Sequence, residues 1–211
     1  MKSRYNNDDY IEIGVDEAGR GPLFGPVYAC SVIWDSKLDN HEMSLLIQDS
    51  KKLSKKKRNK AYLFLINRVQ YGIGYASHDE IDKHNILQAT RLAIERSIEN
   101  LDHKIENTNN KKRYIIDGIR WEKMININQD NKVISQPKGD QLYKSIAAAS
   151  IIAKVEHDKA IEIIVKQNPD VHEKYDIMNN KGYGTKKHLI GLQKHGPSKF
   201  HRKTFKPCIK K

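Results

Sequence analysis

Thiol chemistry is nearly absent from this chain. Two cysteines, Cys30 and Cys208, stand far apart among 211 residues, and neither has a nearby cysteine or a histidine at zinc spacing. That excludes a disulfide framework and a structural zinc site, and it leaves reduced thiols with no catalytic role. No apolar stretch is long enough to cross a bilayer, and the polar Met1–Asp9 lead lacks the apolar centre of a signal peptide. The expected setting is cytoplasmic, or nuclear in a nucleated cell, with no membrane partner. Internal repeats and Gly/Ser linkers are missing too, so the length fits one domain with at most a small appendage.

Acid is locally scarce. Lys51, Lys52, Lys55, Lys56, Lys57, Arg58 and Lys60 crowd ten residues with no acid among them. The tail from Ser198 carries Lys199, Arg202, Lys203, Lys206, Lys210 and Lys211, again with none. The formal net charge of +12 raises the expectation of an anionic partner, nucleic acid or an anionic membrane surface. Such runs suit phosphate contacts, and they serve equally well as solvated faces.

The chain alternates strand-like and helix-like segments. Ile11–Val15 reads as a strand feeding a turn at Asp16, and Pro26–Trp34 as the next strand, antiparallel to it. Ser54–Val69 reads as a helix capped by Ser54, Tyr71–Ala76 as a short strand, and Asp79–Leu101 as a helix with Asp79 at its N-cap. After a polar break at Asn107–Lys112, Arg113–Ile116 and Lys132–Ser135 read as strands, and Gln141–Val165 as one long helical segment. Short helices follow at Val171–Tyr175 and Lys186–His195. This order predicts an α/β fold, a mixed sheet with helices packed on it and a C-terminal helical extension. The expected division is a flexible lead over 1–10, a catalytic domain over 11–197 and a basic tail over 198–211.

What the chain does have is acid at the ends of predicted elements. Asp16 and Glu17 run into the Gly19-Arg20-Gly21 turn, Asp117 closes a strand, and Asp140 precedes the long helix. The carboxyl edge of a sheet is where sites form. Oxygen-only carboxylate clusters select Mg²⁺ or Mn²⁺ over zinc. Two such ions about 3.5–4 Å apart can clamp the attacking and leaving oxygens of a phosphoryl displacement. Neighbouring residues on a strand point to opposite faces, so Asp16 and Glu17 diverge unless the chain bends at the glycines that follow. Taken singly, each acid has a structural use: Asp16 and Asp117 can close turns, and Asp140 can cap a helix. Ser150 and Lys154 lie four apart on one helix face. With Ser50, Lys51 and Lys52 they are candidate phosphate contacts.

Six segments carry a family resemblance in their order along the chain. They are Gly14–Gly25, Asp49–Leu53, Ile116–Gly118, Lys138–Asp140, Ile146–Val155 and Gly182–Thr185, followed by His195–Pro197 and His201–Phe205. Together they resemble a bacterial-type ribonuclease HII over about residues 11 to 207. The resemblance implies an RNase H-like fold on a mixed five-stranded sheet. It implies hydrolysis of the RNA strand of RNA–DNA hybrids and cutting on the 5′ side of single ribonucleotides in duplex DNA, with 3′-hydroxyl and 5′-phosphate ends. It maps the catalytic and metal-binding quartet onto Asp16, Glu17, Asp117 and Asp140. It maps the junction-sensing turn onto Gly19, Arg20 and Gly21, and the junction tyrosine onto Tyr183. Members of this kind act as monomers.

The 2′-hydroxyl is the group that marks a ribonucleotide among deoxyribonucleotides. The backbone of Gly19–Gly21 can approach it because two of those residues lack side chains. A tyrosine between glycines can lay its ring on the next deoxyribose, or serve only in packing. Asp158 falls where the family often has an aspartate. His157 replaces a common arginine, which puts that arginine's salt bridge in doubt. His195 and His201 are expected near nucleic acid. A ribonuclease HIII is the related alternative. It carries an extra N-terminal binding domain, whereas about ten residues precede the first strand here, and its turn usually lacks the Gly-Arg-Gly form. A catalytically silent binding module is the alternative from another class, and the presence of all four acids argues against it.

Overall fold

The computed structural model describes residues 1–105 and 110–209. Asn107–Asn109 of the expected polar break and Lys210 and Lys211 of the tail lie outside the described residues. Five strands, β1 (Ile11–Ala18), β2 (Val27–Ile33), β3 (Gln70–Ala76), β4 (Lys112–Asp117) and β5 (Lys132–Gln136), form one sheet in the order β3-β2-β1-β4-β5. The first three are antiparallel, while β4 and β5 run parallel to β1. The mixed sheet expected from the element order is therefore present, and β1 is its central strand.

Both faces of the sheet are covered. Ile13, Val15, Val27 and Ile116 meet Ala93, Ile94 and Leu101 of α2 (His78–Asp102) on one side. Cys30 and Val32 meet Ala148, Ile151 and Ile152 of α4 (Lys144–Gln167) on the other, with α1 (Lys55–Ile66) packed outside. Gly14 lets α4 come close, since a methyl there would meet the Ile146 backbone nitrogen at 2.5 Å. Asp16, two residues further along β1, shares that face.

Three local readings change. The α2 cap is Ser77, whose hydroxyl accepts from the Glu80 N–H while Glu80 accepts from the Ser77 N–H, a reciprocal pair that Asp79 cannot make. Asn85 takes φ 66° and kinks α2; its carboxamide oxygen caps the second half through Leu87 and Gln88. The long segment from Gln141 breaks at the extended Tyr143, giving α3 (Gly139–Leu142) and then α4.

The helical C-terminal part comprises α5 (Asp170–Tyr175), α6 (Ile177–Asn180) and α7 (Lys186–His195). It shares a core with Leu23 and Phe24. The 198–208 segment folds back over the β1–β2 connection: Arg202 N–H donates to Leu23 O at 2.9 Å, and Gly25 N–H to Phe200 O at 3.0 Å. At the other end of the chain Lys2 pairs with Tyr143, and Asp8 bonds Arg113 at 2.6 Å. Among the described residues no helix is long and apolar enough to cross a membrane.

The β3–α2 contact is close enough to be tested. A methyl on Gly74 would stand 2.5 Å from the Ser97 backbone nitrogen. Gly74→Ala is expected to lower stability by ~1–3 kcal/mol through overpacking. Urea unfolding measures it, and an unchanged midpoint would contradict the packing.

Candidate active site

The site begins where β1 and β4 end. Val15 pairs with Ile116 in the parallel register, so one step further Asp16 and Asp117 come side by side. Asp117 Oδ1 accepts the Gly139 N–H at 2.7 Å, which ties the end of β4 to the Lys138-Gly139-Asp140 turn. Asp140 makes no cap bond; it sits in the first turn of α3 and is buried. The chain brings Glu17 to the same place, because Glu17 and Asp16 both feel the charge of Asp117. Burial, then Glu17 and Asp117, hold the Asp16 carboxyl well above its ordinary range. Burial also raises Glu17, with Arg20 opposing, and it raises Asp140, with Asp117 and Asp49 adding to the effect.

Lys51 marks the centre of this group. Burial works against its charge, yet Asp16, Asp140, Asp49 and Asp117 together hold its pKa above the ordinary value. The Ser50–Lys52 turn that carries it is capped by Asp49, which accepts the Lys51 N–H at 2.9 Å. Ser50 Oγ meets Ser150 Oγ at 3.0 Å, and the Ser150 hydroxyl works against the rise of the Asp16 pKa. Lys52 is exposed and close enough to Asp140 to lower its pKa. Among the described residues no three acid, histidine or cysteine side chains form a ready-made cation shell. The acids gather without closing, as like charges do.

Beside them lies a cavity of about 190 Å³, lined by Glu17, Ala18, the Gly19–Gly21 turn, Ser50, Lys51, Ser150, Lys154 and Tyr183. Every sequence-expected substrate contact except Lys52 lines it. A methyl on Gly21 would stand 3.4 Å from the Tyr183 ring, so turn and ring face each other directly. Lys154 Nζ lies 5.6 Å from that ring's centre and pairs with Asp158 at 2.8 Å. The Lys154 ammonium therefore supplies the cation for Asp158. His157 is buried and held neutral by burial; its Nδ1 lies 3.1 Å from Asp158, and its Nε2 has no partner. Its ring stands against Gly19, where φ is +94° and a methyl would overlap it. A larger cavity of about 310 Å³ between α1 and α4 is lined by Arg58, Tyr62 and Lys159 and holds none of the four acids.

Two expectations are corrected here. Arg202, part of the basic tail expected either to contact phosphate or to form a solvated face, has no exposed surface, and neither has His201, expected near nucleic acid. Arg202 spends its donors on the carbonyls of Gly19, Arg20, Pro22, Gly25 and Pro26 at 2.6–3.0 Å. Of the backbone groups expected to meet substrate, the Gly19 and Arg20 carbonyls are therefore occupied. Asp49 was also missed as a site residue; its place directly before Ser50-Lys51 was the available signal. A buried arginine in a basic run gives no such signal.

Comparison with known proteins agrees with this geometry. The Ribonuclease HII family profile matches residues 13–208. A ribonuclease HII of Nostoc sp. is 42% identical over 205 residues, covering 97% of this chain and 85% of the relative. The ribonuclease H2 of Pyrococcus horikoshii OT3 aligns with a TM-score of 0.67 at 24% identity, covering 93% of this chain and 94% of the other. Bst-RNase HIII in complex with Mn²⁺ aligns with a TM-score of 0.66 at 19% identity, covering 88% and 70%. Both structural likenesses place the chain in the RNase H-like fold.

The buried His201 carries a pH signature. Burial, then His188, pushes its pKa from the ordinary 6.5 down to about 3. Below pH 6.5 the unfolded chain takes up a proton that the folded chain refuses, so stability present above that pH is lost as pH falls towards 3. Between pH 7 and pH 5 the wild type is expected to lose roughly 2 kcal/mol more than His201→Gln. Urea unfolding of both proteins at the two pH values gives the difference, and parallel losses would refute it.

Proposed function

The chain belongs to the ribonuclease HII family and is a ribonuclease H, and on that premise we propose that it cuts duplex DNA on the 5′ side of a single embedded ribonucleotide, as well as the RNA strand of RNA–DNA hybrids. The products are 3′-hydroxyl and 5′-phosphate ends. The observation that carries the reading is the gathering of Asp16, Asp117 and Asp140 about Lys51, with Glu17 beside them, at the rim of a cavity faced by Gly19–Gly21 and Tyr183. A cytoplasmic setting and a monomeric enzyme fit a substrate of this kind.

The donor set suits a hard divalent cation. It is oxygen only, and Glu17 Oε2 is buried without a hydrogen-bond partner. Asp16, Glu17, Asp117 and Asp140 would hold Mg²⁺ or Mn²⁺, as a pair of ions. Bound there, the ions supply Lewis acidity to the attacking water and the leaving oxygen. The remaining work belongs to the chain. Arg20 holds Glu17 Oε1 at 3.2 Å, and Glu17 Oε2 would be the oxygen offered to a cation. Lys51 and Lys154, with the Ser50 and Ser150 hydroxyls, line the route of the phosphates and hold the backbone in register. The glycine turn lets the ribose reach the protein backbone, and Tyr183 offers its ring to the following sugar.

The product map on a duplex with one ribonucleotide is the direct test. Cutting is expected one bond 5′ of the ribonucleotide, only with Mg²⁺ or Mn²⁺, and not by Asp16→Asn. In chelator Asp16→Asn should melt no lower than the wild type, because it removes one of several repelling carboxylates. Added Mn²⁺ should raise the melting temperature of the wild type alone. Binding of the duplex without any cut, at any metal level, would leave only a binding module.

Arg20→Ala and Tyr183→Ala separate sensing from cutting. Each is expected to slow cleavage at single ribonucleotides at least tenfold more than cleavage of long hybrids, read as kcat/KM on the two substrates. Equal losses would remove these residues from the sensor.

A further inference from the structure

Arg202 and His201 are adjacent in sequence and fully buried; Arg202 bonds the carbonyls of Gly19 and Arg20, and His201 reaches Tyr183 through His188. Arg202 has five guanidinium N–H donors, and all five go to backbone carbonyls: Nε to Gly25, Nη1 to Arg20 and Pro22, and Nη2 to Gly19 and Pro26. In a trans peptide the C=O and the following N–H point in opposite directions. Drawing the Gly19 and Arg20 carbonyls onto the guanidinium therefore turns the Arg20 and Gly21 N–H groups away from it. The other three peptide units are accounted for. The Leu23 N–H donates to Gly182 O at 2.8 Å, Pro26 has no N–H, and Val27 opens β2. Arg20 and Gly21 line the cavity, so their two amides are the pair directed outward.

The histidine fixes the opposite wall. The Ser198 N–H can only donate, and it donates to His201 Nδ1 at 2.9 Å. The proton of neutral His201 is therefore on Nε2, which donates to His188 Nε2 at 2.9 Å. His188 must then carry its own proton on Nδ1, which donates to the Tyr183 carbonyl at 2.9 Å. Every tautomer in this chain of bonds is set by the one before it.

We propose that His201 and Arg202 form a positioning brace for the ribonucleotide sensor, with Arg202 aiming the Arg20 and Gly21 amides into the cavity and the His201–His188 pair fixing Tyr183 across from them. The inference rests on the reading that this turn and this tyrosine sense the ribonucleotide. Neither brace residue touches substrate. A lysine at 202 keeps the charge but cannot hold five carbonyls. A glutamine at 188 places its amide where Nε2 lies, and so keeps His201 but loses the Tyr183 carbonyl. An asparagine there matches Nδ1, and so keeps that carbonyl.

The test compares wild type, Arg202→Lys, His188→Gln and His188→Asn. It uses a duplex with one ribonucleotide, a uniform RNA–DNA hybrid, and amide hydrogen exchange of the free protein. For Arg202→Lys the ratio of kcat/KM on the first substrate to that on the second is expected to fall at least tenfold, with exchange faster over residues 18–26. For His188→Gln the ratio should fall as well, with faster exchange around Tyr183, and His188→Asn, which keeps the Tyr183 carbonyl but loses His201, should recover only part of it. Equal loss on both substrates, or unchanged exchange over 18–26 in Arg202→Lys, would overturn the brace. A wild type that never cuts at a single ribonucleotide would instead sink the functional reading, and the exchange measurements would still decide the brace.

Discussion

Like charges gathered at the end of two parallel strands are the constraint on which the rest of the site depends. Asp16 and Asp117 stand side by side because β1 and β4 run in register, and Asp140 joins them because the Gly139 N–H is bonded to Asp117. Burial and mutual repulsion make this arrangement costly, as the raised pKa values of Asp16, Glu17 and Asp140 record. The protein offsets the cost only in part. Lys51 places one cation among the acids, Arg20 takes one oxygen of Glu17, and the Ser150 hydroxyl favours the Asp16 carboxylate. A fold tuned for stability alone would not assemble such a group. A cationic occupant would complete the neutralisation that Lys51 and Arg20 begin.

Rigid packing is what makes the gathering possible. Gly14 brings α4 onto β1, and α4 presents Ser150 and Lys154 toward the same edge that the strand ends reach. α2 covers the opposite face and holds the strands in register through Ala93, Ile94 and Leu101. Asp16 and Asp117 are placed by the strands themselves, and the Gly139 N–H on Asp117 brings Asp140 to them. The positions of Asp16 and Asp117 follow from strand register, and strand register follows from which face is apolar.

That dependence explains what could be read from sequence. The strand that carries Asp16, the strand ending at Asp117 and the helix carrying Ser150 and Lys154 are legible because each has an apolar pattern, although β1 runs on through Glu17 to Ala18, past the turn expected at Asp16. The reciprocal Ser77–Glu80 cap was misplaced by two residues, since any of several polar residues near a helix start can cap it. The left-handed Asn85 kink and the break at Tyr143 had no pattern to betray them, because tertiary packing overrides a continuous helical period. Arg202 was the largest misreading. In a run of lysines its charge says solvent, and only the fold reveals five carbonyls converging on it. A charge neutralised by backbone dipoles leaves no trace in side-chain composition.

Cutting and sensing thus draw on different parts of the chain. The acids come from the ends of β1 and β4 and from α3 after β5. The sensor joins a turn near the N-terminal end of the sheet to Tyr183 and the 198–202 segment, about 180 residues away. Its geometry is set by tertiary bonds to backbone carbonyls, which do not depend on the side chain that supplies each carbonyl. The turn can therefore keep its shape while its exposed side chains vary, so long as a guanidinium remains at its centre. Loss of that guanidinium would disturb the direction of two amides before it disturbed any carboxylate. On the proposed reading of the sensor, substrate choice depends on how the 198–202 segment packs on the turn, and hydrolysis on strand register.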